Sequence, residues 1–209
     1  MILYEHPASG NCLKARVMLD QVGADYERVV VDLFAGETRT REHFARNPDG
    51  RVPVLELDSG QFLPESNAIL IYLAEGTEHL PSDPLARARV YAWMMFEQNQ
   101  VEANLGVARF LALSGRAEGV PEVFADRQRR AGDALATLER ALDGREFLVG
   151  DAYSVADLSL YGYVHAADDA GVPLAGYPAV AAWVERVGAL PGFEEGLAPM
   201  PAHARDRSL

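Results

Sequence analysis

A single cysteine, Cys12, stands in a chain of 209 residues, and a single lysine, Lys14, among its nineteen basic side chains. One thiol cannot build an internal disulfide framework. The dominance of arginine over lysine reads as a coding bias rather than as the design of a site. No apolar run approaches the roughly 20 residues that a bilayer crossing needs, so no membrane partner is expected. Positive charge is also scarce. A formal net charge of −12 would repel a phosphate backbone, which argues against a nucleic-acid partner. The densest basic stretch, "DRQRRAG" from Asp126 to Gly132, has the spacing of a solvated helix face. No charged, apolar, small-residue leader precedes the first strand, and a cytoplasmic location is the expectation.

What is present suffices for a core. With 49% of residues hydrophobic and 24% charged, disorder is not expected, and the length fits one large domain or two small ones.

The first third alternates strand and helix signals. Ile2–Tyr4 reads as a strand and Asn11 to about Val22 as a helix, with Leu13, Val17, Leu19 and Val22 at helical spacing before Gly23. "YERVVVD", Tyr26 to Asp32, is a second β-rich run, so these pieces form a βαβ unit. A polar stretch with at most a short helix leads to the Asn47-Pro48-Asp49-Gly50 turn. Strands Val54–Leu57 and Gln61–Leu63 follow, joined by Asp58-Ser59-Gly60 as a hairpin, and a helix runs from about Ser66 to Glu75. This order is that of an α+β, thioredoxin-like domain, placed at residues 1–77. "GTEHLPSDP" supplies a linker over 78–85, and an all-helical domain is expected over 86–209. Within it, one long helix spans "RARVYAWMMFEQNQVEANLGVARFLAL", and another opens at Pro121 and stops at Asp143-Gly144. A third starts with Ser154 as N-cap and Asp157 at N3, flanked by Tyr153 and Leu158. Helical segments around Ala179–Val187 and after Pro191 complete it.

The turn after the first strand carries the first chemical signal. In a thioredoxin-like fold it holds C-x-x-C, whose first cysteine is activated by the helix N-terminus. Here the spacing reads Ser9-Gly10-Asn11-Cys12, with serine in place of the attacking thiol. Two-cysteine redox chemistry is therefore lost, and a thiol nucleophile must arrive on a small molecule. A thiol of pKa near 8.5 is only about 3% ionised at pH 7, and lowering that pKa by about two units takes roughly 2.7 kcal/mol. A charge-assisted hydrogen bond from the Ser9 hydroxyl, about 1.5–3 kcal/mol, plus about 0.3–1 from the helix dipole, is of that size. Asn11 offers a second donor. Serine is equally a good N-cap, and the sequence leaves both roles open. Cys12, one turn into the helix, suits a small core residue. His6 and His43 lack partners at metal-ligand spacing, so no metal is expected, and both read as solvated surface histidines.

The second signal is "GRVPVLE…LPESNAI". Val52-Pro53 sits between a turn and a strand, where a cis bond is the natural reading, leaving the Val52 N–H and C=O to pair with an extended peptide. Glu65 and Ser66 open a helix whose free N–H groups and Ser66 hydroxyl suit a carboxylate, while Glu65 suits an ammonium; taken in isolation, Ser66 reads equally as a plain N-cap. Both charges on one carbon make an amino-acid head.

Taken together, S-x-N after the first strand, V-P before the third, E-S-x-A-I at the last helix of the first domain and an S-x-A-D cap in a helical second domain resemble the cytosolic glutathione transferases of serine/asparagine type, over essentially the whole chain. The resemblance implies a homodimer active in detoxification, with glutathione as co-substrate, no other cofactor, and an apolar electrophile as second substrate. It implies catalytic roles for Ser9 and Asn11. Val52 and Pro53 would pair the peptide backbone, Glu65 and Ser66 would hold the γ-glutamyl end, and Arg39 would meet the glycine carboxylate with two hydrogen bonds. Arg51, where many relatives carry glutamine, is a further candidate. Ala8, Asn104 and Ala108 would face the electrophile, although an apolar stripe such as Met94, Met95, Val101, Leu105 and Ala108 is core more often than pocket. No tyrosine is placed to take the serine's role. Two other readings remain: a glutathione-dependent disulfide or peroxide reductase using the same site, and a non-catalytic binding module on the same scaffold.

Overall fold

A computed structural model describes residues 1–205 and divides the chain into two units, Met1–Glu75 with Pro191–Leu209, and Gly76–Leu190. In the first unit β1 (Ile2–Glu5) leads through a short turn into α1 (Gly10–Gln21), then β2 (Glu27–Val30), a 3-10 turn (Glu37–Arg39) and α2 (Arg41–Arg46). The hairpin β3 (Val54–Glu56) and β4 (Phe62–Pro64) precedes α3 (Ser66–Ala74). The sheet order is β2-β1-β3-β4, with β1 parallel to β2 and antiparallel to β3. The α+β thioredoxin-like arrangement follows from side-chain alternation along β1. Leu3 faces one side, where it joins Ala15, Leu19, Leu55 and Ile69 in a core between the sheet and helices α1 and α3. Tyr4 faces the other, with Val31 and Val54. The Tyr4 hydroxyl donates to Glu56 and the Arg46 guanidinium lies 4.1 Å from the ring centre, which commits the tyrosine to structure.

The second unit is helical, and no strand occurs in it among the described residues. α4 (Pro84–Phe96), a π-helical stretch (Glu97–Gly106) and α5 (Val107–Leu113) form one continuous run. The expected long helix exists, then, but its middle is widened. There the Asn104 side-chain amide donates to the Gln100 carbonyl at 2.8 Å, competing with the backbone for that acceptor. Gly106 sits so close to Tyr163 that a Cβ would meet the ring at 3.1 Å. α6 (Pro121–Leu142), α7 (Val155–Val164) and α8 (Pro178–Gly188) complete the unit. On α6, Arg129 and Arg130 pair with Asp126 and Asp133 one turn away, the solvated face expected of that segment.

The Ser154 and Asp157 pair forms a full capping box. The buried Asp157 carboxylate also accepts from Leu148 N–H and from the Trp183 indole, so one side chain ties α7 to α8 and to the loop before it.

Beyond Leu190 the outcome differs from expectation. No α-helix follows Pro191 among the described residues, and the segment groups with the first unit. The cause is charge pairing from within that unit. Arg16 bridges the fully buried Glu5 and the Gly196 carbonyl, and Arg28 bridges Glu5 and Glu195. Further along, Ala198 N–H donates to the Pro7 carbonyl, and His203 meets Asp32 at 2.8 Å. No described helix is long and apolar enough to cross a membrane.

Candidate functional site

The site begins where β1 hands over to α1. Ser9 is extended (φ −87°, ψ 125°), its N–H donates to the His6 carbonyl, and its hydroxyl accepts from Cys12 N–H at 3.4 Å. Ser9 therefore caps α1. A hydroxyl can accept and donate at once, and here the proton of the Ser9 hydroxyl has no acceptor among the described residues. The two roles left open by the sequence are compatible in one side chain. Cys12 is fully buried, accepts from His6 N–H, and burial pushes its thiol up to about 12. It is a core residue and not a nucleophile.

Asn11 joins this turn to the start of α3. Its Oδ1 accepts from the Ser66 hydroxyl at 3.2 Å and from the Lys14 ammonium at 2.9 Å. Ser66 is the first residue of α3 and only 5% exposed, and no side chain caps this helix. By contrast α1, α2, α4 and α7 carry side-chain caps from Ser9, Thr40, Asp83 and Ser154. Ser66 is thus not an N-cap, and the N-terminal dipole of α3 is left for an anion. The preceding Glu65 is exposed and holds φ +73°, the one non-glycine residue with positive φ among those described. Such backbone costs energy, and it is held at the residue that immediately precedes that uncapped helix end.

A third element is the loop before β3. Val52-Pro53 is cis. The Arg51 carbonyl accepts from His43 Nε2 and Asn47 Nδ2, both at 3.0 Å, which anchors the loop on α2. The Val52 N–H and C=O have no hydrogen-bond partner among the described residues. Arg39 is exposed and reaches the Asp49 carbonyl at 3.4 Å, while Arg51 is exposed and paired with Asp49 at 2.6 Å. Gly50 is obligatory here: at φ +64° a Cβ would lie 2.9 Å from the Thr38 carbonyl and 2.8 Å from Arg39 Nη1 and Phe44 Cε1.

Two expectations fail. His6 and His43 are not surface residues, being 6% and 1% exposed. Each sends one ring nitrogen to a backbone carbonyl, Val31 or Arg51, so both act as interior props. Lys14 is no trace of coding bias alone, since it is fully buried against Asn11. The signal for it was in the sequence, a lone lysine three positions after Asn11 on a helix.

Of the remaining candidates, Ala8 is 3% exposed and sits in the turn itself. Asn104, 3% exposed, accepts from Arg127 and donates to Gln100, and Ala108 is fully buried. Both are interior residues of the helical unit, held there by packing and hydrogen bonding, and no substrate-facing surface is left on Ala108. Met94, Val101 and Leu105 are likewise core, whereas Met95 of the same stripe is exposed. No cluster of His, Cys, Asp and Glu suited to a metal occurs among the described residues.

Comparison with known proteins places this geometry in context. The N-terminal domain profile of glutathione S-transferase matches residues 1–75, and the C-terminal domain profile matches residues 121–186. A maleylacetoacetate isomerase from Rhizobium meliloti (strain 1021) is 38% identical over 202 residues, covering 92% of this chain and 93% of its own. The crystal structure of a glutathione S-transferase from Pseudomonas fluorescens Pf-5 superposes with a TM-score of 0.89 at 43% identity, covering 91% of this chain and 96% of that one. A glutathione transferase from Burkholderia graminis, with two glutathione molecules bound per subunit, superposes with a TM-score of 0.83 at 29% identity, over 93% of this chain and 86% of its own.

Proposed function

Since the chain belongs to the glutathione S-transferase family and is an enzyme of that family, we propose that it binds glutathione across β1, α1 and α3, ionises the thiol and conjugates it to an apolar electrophile. The observation that carries the reading is the Ser9 hydroxyl, which caps α1 with its lone pair and keeps its proton to give.

In this reading Ser9 donates to the sulfur, with the α1 dipole adding to the preference for the anion. Roughly 2.7 kcal/mol brings a thiol pKa down by about two units, and one charge-assisted bond plus a helix terminus supplies that order of energy. The Val52 N–H and C=O pair with the cysteinyl backbone of the tripeptide. Its γ-glutamyl carboxylate takes the Ser66 N–H and the other free N–H groups at the uncapped start of α3, while the Ser66 hydroxyl holds that start to the α1 turn through Asn11 Oδ1; its ammonium takes Glu65. Arg39 meets the glycine carboxylate, with Arg51 beside it. The thiolate then attacks an electrophilic carbon: a sulfur–carbon bond forms, the leaving group departs with its electron pair, and the thiol proton has already passed to solvent. Catalysis comes from stabilising the anion and from proximity. A cytoplasmic homodimer is the form in which the chain would act.

Retention on immobilised glutathione, with its loss in Ser66→Ala and Glu65→Ala, tests the binding half of the proposal. If neither substitution weakens retention, the site is misplaced. Turnover of a chlorodinitroarene against a hydroxyethyl disulfide separates conjugation from reduction. Maleylacetoacetate, the compound in the name of the Rhizobium relative, is the third substrate to assay.

A further inference from the structure

Lys14 is among the largest side chains in the chain with no exposed surface. A lysine ordinarily runs its stem along apolar surface and keeps the ammonium in water, because a charge taken out of water needs strong partners. Here the Nζ donates to Asn11 Oδ1 at 2.9 Å, and that same oxygen receives the Ser66 hydroxyl at 3.2 Å. An ammonium has donors only, so the contact fixes which way the Asn11 amide faces. The oxygen is committed toward Lys14 and Ser66. Any donation from Asn11 to a sulfur must then come from Nδ2. A cation on the carbonyl oxygen also draws electron density from the amide nitrogen, which strengthens the N–H groups as donors.

We propose that Lys14 is a positioning residue for thiolate formation: by holding and polarising the Asn11 amide it sets the second hydrogen-bond donor to the bound sulfur, and through the shared oxygen it couples that donor to Ser66. This rests on the glutathione reading given above. It assigns a task to a buried charge that the binding of the tripeptide does not itself use, and it makes Asn11 dependent on its neighbour one helical turn away.

The test is a titration of the bound thiolate absorbance against pH in the full chain, for the wild type, Lys14→Met, Lys14→Arg, Asn11→Ala and the double variant Asn11→Ala/Lys14→Met. The midpoint of Lys14→Met is expected to rise by about one pH unit, a tenfold loss of thiolate below the midpoint. Affinity for S-methylglutathione, which carries no ionisable thiol, should stay within about twofold, since the tripeptide contacts remain. Lys14→Arg should restore most of the shift, and in the Asn11→Ala background Lys14→Met should add nothing. An unchanged midpoint in Lys14→Met, or an equal shift in the Asn11→Ala background, overturns the proposal. Should Lys14→Met not fold, Lys14→Gln takes its place, and an unmoved midpoint there is again fatal. A wild type that shows no bound thiolate at all defeats the glutathione reading itself; a normal wild-type titration with unmoved variants defeats only the role of Lys14.

Discussion

The Ser66 hydroxyl and the Asn11 amide oxygen lie 3.2 Å apart although 55 positions separate them in the chain. That bond ties the turn after β1 to the start of α3, so a ligand held at one is registered against the other. Breaking that bond itself, by removing the Ser66 hydroxyl, should therefore be felt in both binding and ionisation.

Ser9→Ala separates the two tasks of that hydroxyl. Loss of the cap costs about 1 kcal/mol of stability. The donor role predicts more: the bound thiol's pKa should rise by one to two units, which at a pH below the midpoint is roughly a 10- to 100-fold loss of thiolate. Ser9→Thr, which keeps a hydroxyl, should stay close to the wild type. A Ser9→Ala variant with lowered melting temperature and an unshifted titration would leave Ser9 as a cap alone.

Gly50→Ala should destabilise the first unit by at least about 1–2 kcal/mol, the cost of placing a side chain in left-handed backbone. The added methyl group would also press on the Thr38 carbonyl and on Arg39. Thermal unfolding measures the loss. Weaker retention on glutathione should accompany it, because the loop that carries Val52 closes on this glycine.

Arg16→Ala should be far more damaging than Arg28→Ala. Both arginines face the buried Glu5, but the Arg16 side chain is 3% exposed and that of Arg28 is 32% exposed. Removing Arg16 leaves Glu5 Oε2 without its buried partner while the more exposed Arg28 still holds Oε1, a loss of up to about 3–5 kcal/mol, and frees the Gly196 carbonyl as well. Chemical denaturation of the two variants checks the order. Equal effects would contradict it.

Acid should weaken the fold through its interior histidines. Burial lowers the pKa of His6, His79 and His165. His6 gives its Nδ1 proton to the Val31 carbonyl and its Nε2 has no partner, so a second proton would add an N–H without an acceptor. The unfolded chain binds protons more readily than the folded one. The contribution is complete above the ordinary histidine value near 6.5 and is lost as pH falls through it toward the lower folded value. Melting temperature should drop between about pH 7.5 and about pH 5.5, and His6→Gln should flatten that drop. An unchanged slope in the variant would remove His6 from the explanation.

Much of this was legible in the sequence because the signals were local. The cap at Ser154 and Asp157, the Ser9 turn, the hairpin at Asp58-Ser59-Gly60 and the start of α3 each rest on a few neighbouring residues whose conformations are set by short-range hydrogen bonding and backbone sterics. What escaped depends on partners far along the chain. Arg16 meets Gly196 across 180 positions, so nothing near Pro191 announces that the segment will leave the helical unit. His43 becomes an interior prop only because the Arg51 carbonyl arrives beside it. The positive φ of Glu65 has no sequence signal either, since glycine would have been the ordinary choice there. Asn104, which the resemblance set against the electrophile, has Arg127 and the Gln100 carbonyl as partners that no local signal announces.

The central claim is that the sulfur of a bound tripeptide comes to rest at the start of α1. A crystal structure of the chain soaked with glutathione measures this most directly. The account predicts the cysteinyl sulfur within hydrogen-bonding reach of the Ser9 hydroxyl, with the γ-glutamyl carboxylate on Ser66. A tripeptide bound with its sulfur away from Ser9 and Asn11 would contradict it.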